Sequence, residues 1–232
     1  MDFSAGGNAG DWFWQATVQS LGGKILNDAR TGTGFDNEVG LQSLKLLQRL
    51  TAETHMTVAT DVKPYRQQFF AGKLGFFVAS PSAAANFAQT VGNRFTMRTA
   101  PFPIGAANGT LPTGGNVVTI TAQDPAHQKA AWDYVKFVTS AQSQADVAKA
   151  TGYMPTNKQS GEALQAFYAS NPIYATAFAQ VPLSAPWYGY PGGKGAEIWR
   201  AQRKIIDQVQ RGALSPDEGL KEMISTTNSL LN

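Results

Sequence analysis

Aromatic side chains beside glycine-rich turns are the residues of this sequence best suited to binding chemistry. A pyranose ring offers an apolar C–H face to a flat indole or phenol ring, and its hydroxyls suit neutral polar groups nearby. Aromatic residues at turns or helix starts can project into a cleft, whereas most tryptophans pack in cores and interfaces. Both roles are open for the following six side chains: Trp12, Tyr153, Trp187, Tyr188, Tyr190 and Trp199.

A glycine-rich turn offers a second, anionic chemistry. Gly192-Gly193-Lys194-Gly195 precedes a predicted helix, where backbone N–H groups and the lysine could hold an anion. The same four residues also fit a plain flexible loop. The turn therefore remains an alternative site for a phosphate group.

Enzymatic and metal chemistry have little support in the sequence. Cysteine is absent, which excludes thiol catalysis and cysteine-ligated zinc, and His55 and His127 are too far apart to suggest a metal pair. Asp217 and Glu218 stand in the first turn of a predicted helix, where the helix dipole stabilises acidic side chains. The motifs of phosphate-binding loops, serine hydrolases and zinc proteases are missing. We predict a protein that is not an enzyme and uses no cofactor or metal.

Composition indicates an ordered protein with a sizeable core. The 232 residues are 43% apolar and 15% charged, below the roughly 25% of charged residues in an ordinary globular chain. The net charge is only +3, and no run of lysine and arginine forms a basic patch. Electrostatic binding of nucleic acid is therefore not favoured.

The elements that must position the aromatic residues alternate between strands and helices. Apolar periodicity, caps and glycine stops predict helices at 11–21, after a cap at Asp36 or Asn37, at 65–71, after Ser82, after Asp124-Pro125, at 140–150, at 195–211 and after Ser215. Strands are predicted at 24–26, 74–79 and 116–122, and 99–116 is predicted to be a loop. This alternation favours an α/β fold with a largely parallel sheet.

An ordered series of segments resembles one known family. The series runs through Asp11-Trp12, Gly22-Gly23-Lys24, Phe69-Phe70-Ala71-Gly72-Lys73-Leu74-Gly75-Phe76-Phe77-Val78-Ala79-Ser80, Gly114-Gly115-Asn116, the Asp124-Pro125 helix, Thr151-Gly152-Tyr153-Met154-Pro155 and the closing pair of helices. In this order, the segments resemble the family 1 extracellular solute-binding proteins of ABC importers, and most closely the glycerol-3-phosphate-binding and related sugar-binding members. The resemblance covers nearly the whole chain and implies a lobe of the type II periplasmic-binding-protein fold.

The resemblance also implies a set of ligand-binding residues. Matched position by position, the ligand contacts are expected at Trp12, Ser80, Ser82, Gly114, Gly115, Tyr153 and Trp199, with Trp187, Tyr190 and Lys194 as weaker candidates. Trp199 stands where glycerol-phosphate binders carry an arginine. Without that bidentate donor a phosphate is poorly held, so the departure favours a neutral ligand.

The family has two lobes, and the resemblance implies that this chain lacks most of the amino-terminal one. Residues 1–113 and 156–232 would form a discontinuous carboxyl-terminal lobe, and 117–151 would be a segment of the otherwise missing lobe. The amino terminus has neither a basic start nor an apolar core, so no secretion signal is predicted. Because the lobe that would pack against 117–151 is expected to be missing, we expect a homodimer through this segment or a repacking of its helix onto the remaining lobe.

The function implied by the resemblance is that of a substrate-binding component of an ABC transporter. In the parent protein, two lobes would close on a carbohydrate at the periplasmic or extracellular surface and deliver it to a permease. One alternative is a binder of glycerol 3-phosphate or a related phosphorylated polyol, with Lys194 replacing the arginine. Another is a truncated interaction module that binds no ligand.

Overall fold

The computed structural model describes residues 10–54, 58, 63–115, 117–187 and 189–232. In chain order, the described helices are α1 (Gly10–Ser20), α2 (Glu38–Thr54), α3 (Lys63–Phe70), α4 (Ala84–Val91), α5 (Pro125–Val138), α6 (Ala141–Thr151), α7 (Lys158–Ala163), α8 (Gln165–Ser170), α9 (Pro172–Ala179), α10 (Gly195–Gln210) and α11 (Pro216–Leu231). Tyr188, one of the six aromatic candidates, lies outside the described residues.

Two short strands form a parallel sheet. Strand β1 (Leu111–Thr113) pairs with β2 (Ser184–Pro186) so that Leu111 faces Ser184 and Thr113 faces Pro186. The Thr113 hydroxyl also donates a hydrogen bond to the Ala185 carbonyl at 3.1 Å. Parallel strands need a long crossover, and here the crossover carries several helices. The parallel pairing fits the predicted fold class, although both strands lie where no strand was predicted.

Contacts divide the chain into two units. Unit 1 contains residues 1–78, 102–114 and 183–232, and unit 2 contains 79–101 and 115–182. The predicted segment 117–151 lies in unit 2, but it is joined there by 79–101 and 156–182, which were expected to belong to the carboxyl-terminal lobe.

Unit 1 has a core between α1, α2, α10 and α11. Trp14 of α1 is fully buried, and its indole N–H donates to the Ser43 hydroxyl on α2 at 3.1 Å. Asn37 is the cap of α2, because its side-chain oxygen accepts hydrogen bonds from the Val39 and Gly40 N–H groups. The larger apolar side chains of this core include Trp14, Ile25, Phe35, Leu44, Leu47, Ile198, Ile205, Ile206 and Met223.

Unit 2 has a smaller core around α6. The side chains buried there are Ala145, Ala148, Leu164 and Tyr168. Helix α6 ends at Gly152, whose φ of +89° is a left-handed conformation that favours glycine. A Cβ atom at Gly152 would lie 2.7 Å from the Pro81 carbonyl oxygen, so the turn after α6 packs closely against the start of the 3₁₀ turn at Pro81–Ala83.

Neither predicted segment forms a full strand. Within 74–79 the pairing is confined to a β-bridge at Phe77, with Phe76 67% exposed and Val78 39% exposed, and 117–122 have no strand partner among the described residues. A strand is stable only when a neighbour completes its hydrogen bonds, and an apolar run alone does not supply that neighbour. The predicted cap at Ser82 is also wrong, because Ser80 is the side chain that accepts from the Ser82 N–H.

Helix α5 begins as predicted but packs differently. Asp124 accepts from the His127 N–H and Pro125 follows at the first helical position. No described residue of α5 is buried, and Trp132, Tyr134 and Phe137 are 54%, 60% and 66% exposed. Among the helices described, none has the length and apolar character to cross a bilayer.

Candidate ligand-binding site

Three tryptophans of unit 1 form a column of indole rings. Trp12 in the first turn of α1 stacks on Trp187, with ring centroids 5.1 Å apart and planes only 9° apart. Trp187 in turn contacts Trp199 of α10 at 4.8 Å, with the planes tilted by 46°. Trp199 packs against the unit 1 core, and all three rings are partly exposed. Solvent can therefore reach the column, including the ring of Trp12 at its end.

The parallel sheet fixes the middle ring. Trp187 directly follows β2, and its backbone N–H donates to the Thr113 carbonyl of β1 at 2.8 Å. Gly114 directly follows β1, and a Cβ atom there would lie 2.5 Å from Cη2 of Trp12 and 3.5 Å from Cβ of Trp187. The ends of both strands thus meet the tryptophan column.

The indole N–H groups of Trp187 and Trp199 are buried without a hydrogen-bond partner in the described part of the chain. An indole N–H can only donate, so each group calls for an acceptor oxygen. Leaving such a group unpaired costs about 1 to 3 kcal/mol. Both N–H groups are also closed to solvent, so a ligand outside the column does not reach them.

The shifted pKa values lie outside the column. Burial raises the pKa of Tyr168 in the core of unit 2, and the other shifts belong to surface groups. Hydrogen bonds from Lys136 and Lys129 lower the pKa of Asp133 to about 2. The pKa of Asp124 is lowered by the His127 backbone and side chain, and that of Glu218 is lowered by Ser215. These carboxylates serve in helix caps and exposed ion pairs, so their shifts reflect local structure and not acid/base catalysis.

Other predicted site residues lie in unit 2 and form a group of their own. The hydroxyls of Ser80 and Ser82 are 2.9 Å apart, and the Tyr153 N–H donates to the Thr151 hydroxyl at 2.9 Å. A Cβ atom at Gly115 would lie 3.4 Å from the Tyr153 hydroxyl, which is an ordinary contact. Tyr153 follows Gly152, whose turn packs on Pro81, so the serine turn and Tyr153 are close together.

A cavity of about 400 Å³ also lies in unit 2, lined by Ala88, Val91, Gly92, Asn93, Phe95, Thr96, Met97 and Ile173. It contains none of the predicted site residues.

The two remaining candidates in unit 1 have different surroundings. Tyr190 is only 6% exposed, belongs to the core, and donates its hydroxyl to Gln202 at 2.8 Å. Lys194 is exposed at the start of α10, where it makes no side-chain cap. Gly192, two residues before Lys194, has a φ of +80°, a left-handed conformation that favours glycine.

Comparison with known proteins identifies the family. Residues 3–176 match the model of the family described as bacterial extracellular solute-binding protein. This chain belongs to that family. Proteins of the family are binding components and not enzymes. None of the curated proteins matches the chain significantly.

Solved structures share the fold of this solute-binding protein. UgpB from Mycobacterium tuberculosis, in complex with glycerophosphocholine, superposes with a TM-score of 0.83 at 19% identity, over 99% of this chain and 57% of UgpB. The cyclic alpha-maltosyl-1,6-maltose binding protein from Arthrobacter globiformis superposes with a TM-score of 0.81 at 20% identity, over 99% of this chain and 59% of that protein. The GacH receptor of Streptomyces glaucescens, solved with acarbose, superposes with a TM-score of 0.80 at 19% identity, over 99% of this chain and 59% of the receptor.

These likenesses confirm the predicted fold class, α/β of the type II periplasmic-binding-protein kind. The chain spans less than two thirds of the length of each of these structures.

Two features of the site in this solute-binding protein were missed by sequence reasoning. Trp187, a weaker candidate, is the centre of the column, and Gly114, expected to approach a ligand, also makes room for Trp12. The tryptophans themselves were visible as aromatics next to turns. Their stacking depends on the pairing of β1 with β2, for which the sequence carries no local signal.

Proposed function

We propose that this solute-binding protein binds a neutral carbohydrate, with Trp12 as its stacking platform, and serves an ABC importer. The bound sugar would be handed to a membrane permease at the periplasmic or extracellular face. The observation that carries the proposal is the column of Trp12, Trp187 and Trp199, which ends in a partly exposed ring.

The physical fit is to a sugar ring. The C–H face of a pyranose can stack on the indole of Trp12, which excludes water from two apolar surfaces at once. The names of two similar structures mention ligands of this kind: cyclic alpha-maltosyl-1,6-maltose for the Arthrobacter globiformis protein and acarbose for the GacH receptor.

A phosphorylated polyol is the second candidate. UgpB was solved with glycerophosphocholine, and the exposed Lys194 stands at the start of α10, where N–H groups and the helix dipole favour an anion. An exposed cation holding a phosphate would be screened by salt, with a Debye length of about 8 Å at physiological ionic strength. Salt dependence therefore separates the two candidates.

Isothermal titration calorimetry with maltose, maltotriose and glycerol 3-phosphate tests the proposal. Trp12→Ala should weaken sugar binding by about 1 to 3 kcal/mol, because the ligand loses its apolar platform. Trp132→Ala is the matched control, since Trp132 is an exposed tryptophan of unit 2. Unchanged sugar affinity in Trp12→Ala would contradict the proposal, and salt-sensitive binding of glycerol 3-phosphate that is lost in Lys194→Ala would favour the phosphate. Binding of none of the three probes would favour an interaction module.

We also propose that the exposed apolar surface of 117–137 associates with a second copy of the chain. Val117 is 88% exposed and Val118 is 52% exposed, and Trp132 and Phe137 are also exposed. The charges on α5 are already paired along the helix, Lys129 and Lys136 with Asp133. An apolar surface of this kind favours burial against another protein surface.

A further inference from the structure

We infer that Gly114 is a positioning residue that sets the plane of Trp12. The geometry of this role is independent of the ligand, and its effect on binding rests on the proposed sugar site. A Cβ atom at Gly114 would lie 2.5 Å from Cη2 and 3.0 Å from Cζ2 of Trp12, both of them atoms of the rigid ring. Contacts this short are far inside the separation of about 3.5 to 4.0 Å at which carbon atoms attract.

Trp12 has little freedom to move away from such a Cβ atom. Its ring lies flat on Trp187, with the ring centroids 5.1 Å apart and the planes 9° apart. The backbone N–H of Trp187 donates a hydrogen bond to the Thr113 carbonyl, which holds Trp187 in place. The same Cβ atom would lie 3.5 Å from Cβ of Trp187, which is an ordinary contact. The clash therefore falls on Trp12 alone, and the ring must tilt or slide on Trp187.

The stack also decides which face of Trp12 a ligand can use. A ring inserted between two others needs about 3.5 Å on each side, and the 5.1 Å between the Trp12 and Trp187 centroids is too small for that. A sugar would therefore stack on the face of Trp12 turned away from Trp187. Trp187 then acts through Trp12, and the missing Cβ of Gly114 serves the platform and not the ligand.

Circular dichroism reports the stack without any ligand. Neighbouring indoles couple their electronic transitions and give a pair of bands of opposite sign when their transition moments are rotated relative to each other. Trp187 also contacts Trp199, so the difference between the natural protein and Trp12→Phe isolates the part of the signal that belongs to Trp12. Gly114→Ala should weaken this signal, as Trp12→Phe does by removing one indole. Gly75→Ala is the control, because a Cβ atom there meets nothing within 4 Å, and it should leave the signal unchanged. An unaltered signal in Gly114→Ala would overturn the inference.

A double-mutant cycle distinguishes positioning from a general loss of structure. Phenylalanine lacks the Cη2 and Cζ2 atoms that the new Cβ would meet, so Gly114→Ala should cost little stability in the Trp12→Phe background. In the natural background it should lower both the stability to urea and, by roughly tenfold, the affinity for maltotriose. Equal losses of stability in both backgrounds would contradict the inference. A changed dichroism signal with unchanged maltotriose affinity would support the positioning role and count against the proposed sugar site.

Discussion

Tyr190 is a buried residue of the unit 1 core, although its side chain carries a polar hydroxyl. Its hydroxyl donates to the Gln202 side-chain oxygen at 2.8 Å, and the Gln202 amide donates to the Thr227 hydroxyl at 3.0 Å. All three residues are almost completely buried. In such a low-dielectric environment each member of the chain depends on the others for its hydrogen bonds. The structure therefore gives Tyr190 a role in linking β2 and its following turn to α10 and α11.

Removing the Tyr190 hydroxyl should destabilise the protein. In Tyr190→Phe the Gln202 oxygen loses its donor in a buried site, which should lower the free energy of unfolding by about 1 to 3 kcal/mol. Urea unfolding followed by tryptophan fluorescence measures the change. Tyr134→Phe, at a residue 60% exposed, is the control and should be neutral. Equal stability of the two variants would mean that the network contributes nothing.

Among the helices, α11 shows how local hydrogen bonds define an element. The Ser215 hydroxyl accepts from the Glu218 N–H, and the Glu218 carboxylate accepts from the Ser215 N–H at 3.0 Å. This capping box satisfies two N–H groups that lack helical partners. The hydrogen bonds from Ser215 hold the pKa of Glu218 below its ordinary value of 4.5.

Ser215→Ala should remove this cap and its pH dependence together. Loss of a serine cap typically costs about 1 kcal/mol of stability, and the pKa of Glu218 should rise towards its ordinary value. A lowered folded-state pKa contributes stability above the unfolded pKa, and that contribution disappears as the pH falls through the folded value. The variant should therefore lose less stability on acidification than the natural protein. NMR titration of Glu218 and urea unfolding measure both effects, with Ser225→Ala in the middle of α11 as control.

At the scale of the whole molecule, each of the two units has its own core. Leu164 is fully buried in the smaller core of unit 2, and Ile205 is 2% exposed in the core of unit 1. Regions that each have their own core can open as separate cooperative regions. The division into units should therefore be visible in hydrogen exchange.

Leu164→Ala and Ile205→Ala form a matched pair for this test. Each truncation should cost about 2 to 5 kcal/mol in its own core. Exchange followed by mass spectrometry should become faster at α6 to α8 in Leu164→Ala and at α2, α10 and α11 in Ile205→Ala. Faster exchange in both units after either substitution would show that the chain opens as a single region.

Self-association is the second expectation at this scale. Burying a few hundred Å² of apolar surface at about 25 cal/mol per Å² is worth several kcal/mol, so the surface of 117–137 should draw two copies together. Sedimentation at micromolar concentration should show a dimer that Trp132→Ser with Phe137→Ser disrupts. Phe76→Ser, at a residue 67% exposed in unit 1, should leave the dimer intact. A monomeric natural protein would rule out the proposed association.

Much of the helical structure was determined by the sequence itself. The caps at Asn37, Asp124, Ser140 and Ser215 and the stop at Gly22 stand where the helices begin or end. A helix forms its hydrogen bonds within four residues, and its caps act within the same distance, so the necessary information is local.

The strands and the tryptophan column were decided only by the tertiary structure. The strand pairing of Leu111 with Ser184 and the stacking of Trp12 on Trp187 join parts of the chain far apart in sequence. A short apolar segment becomes a strand only when a partner completes its hydrogen bonds, which is why 74–79 looked like a strand and Leu111–Thr113 did not. The sequence supplied the tryptophans, but their order in the column and the space at Gly114 follow from which strand ends meet in the fold.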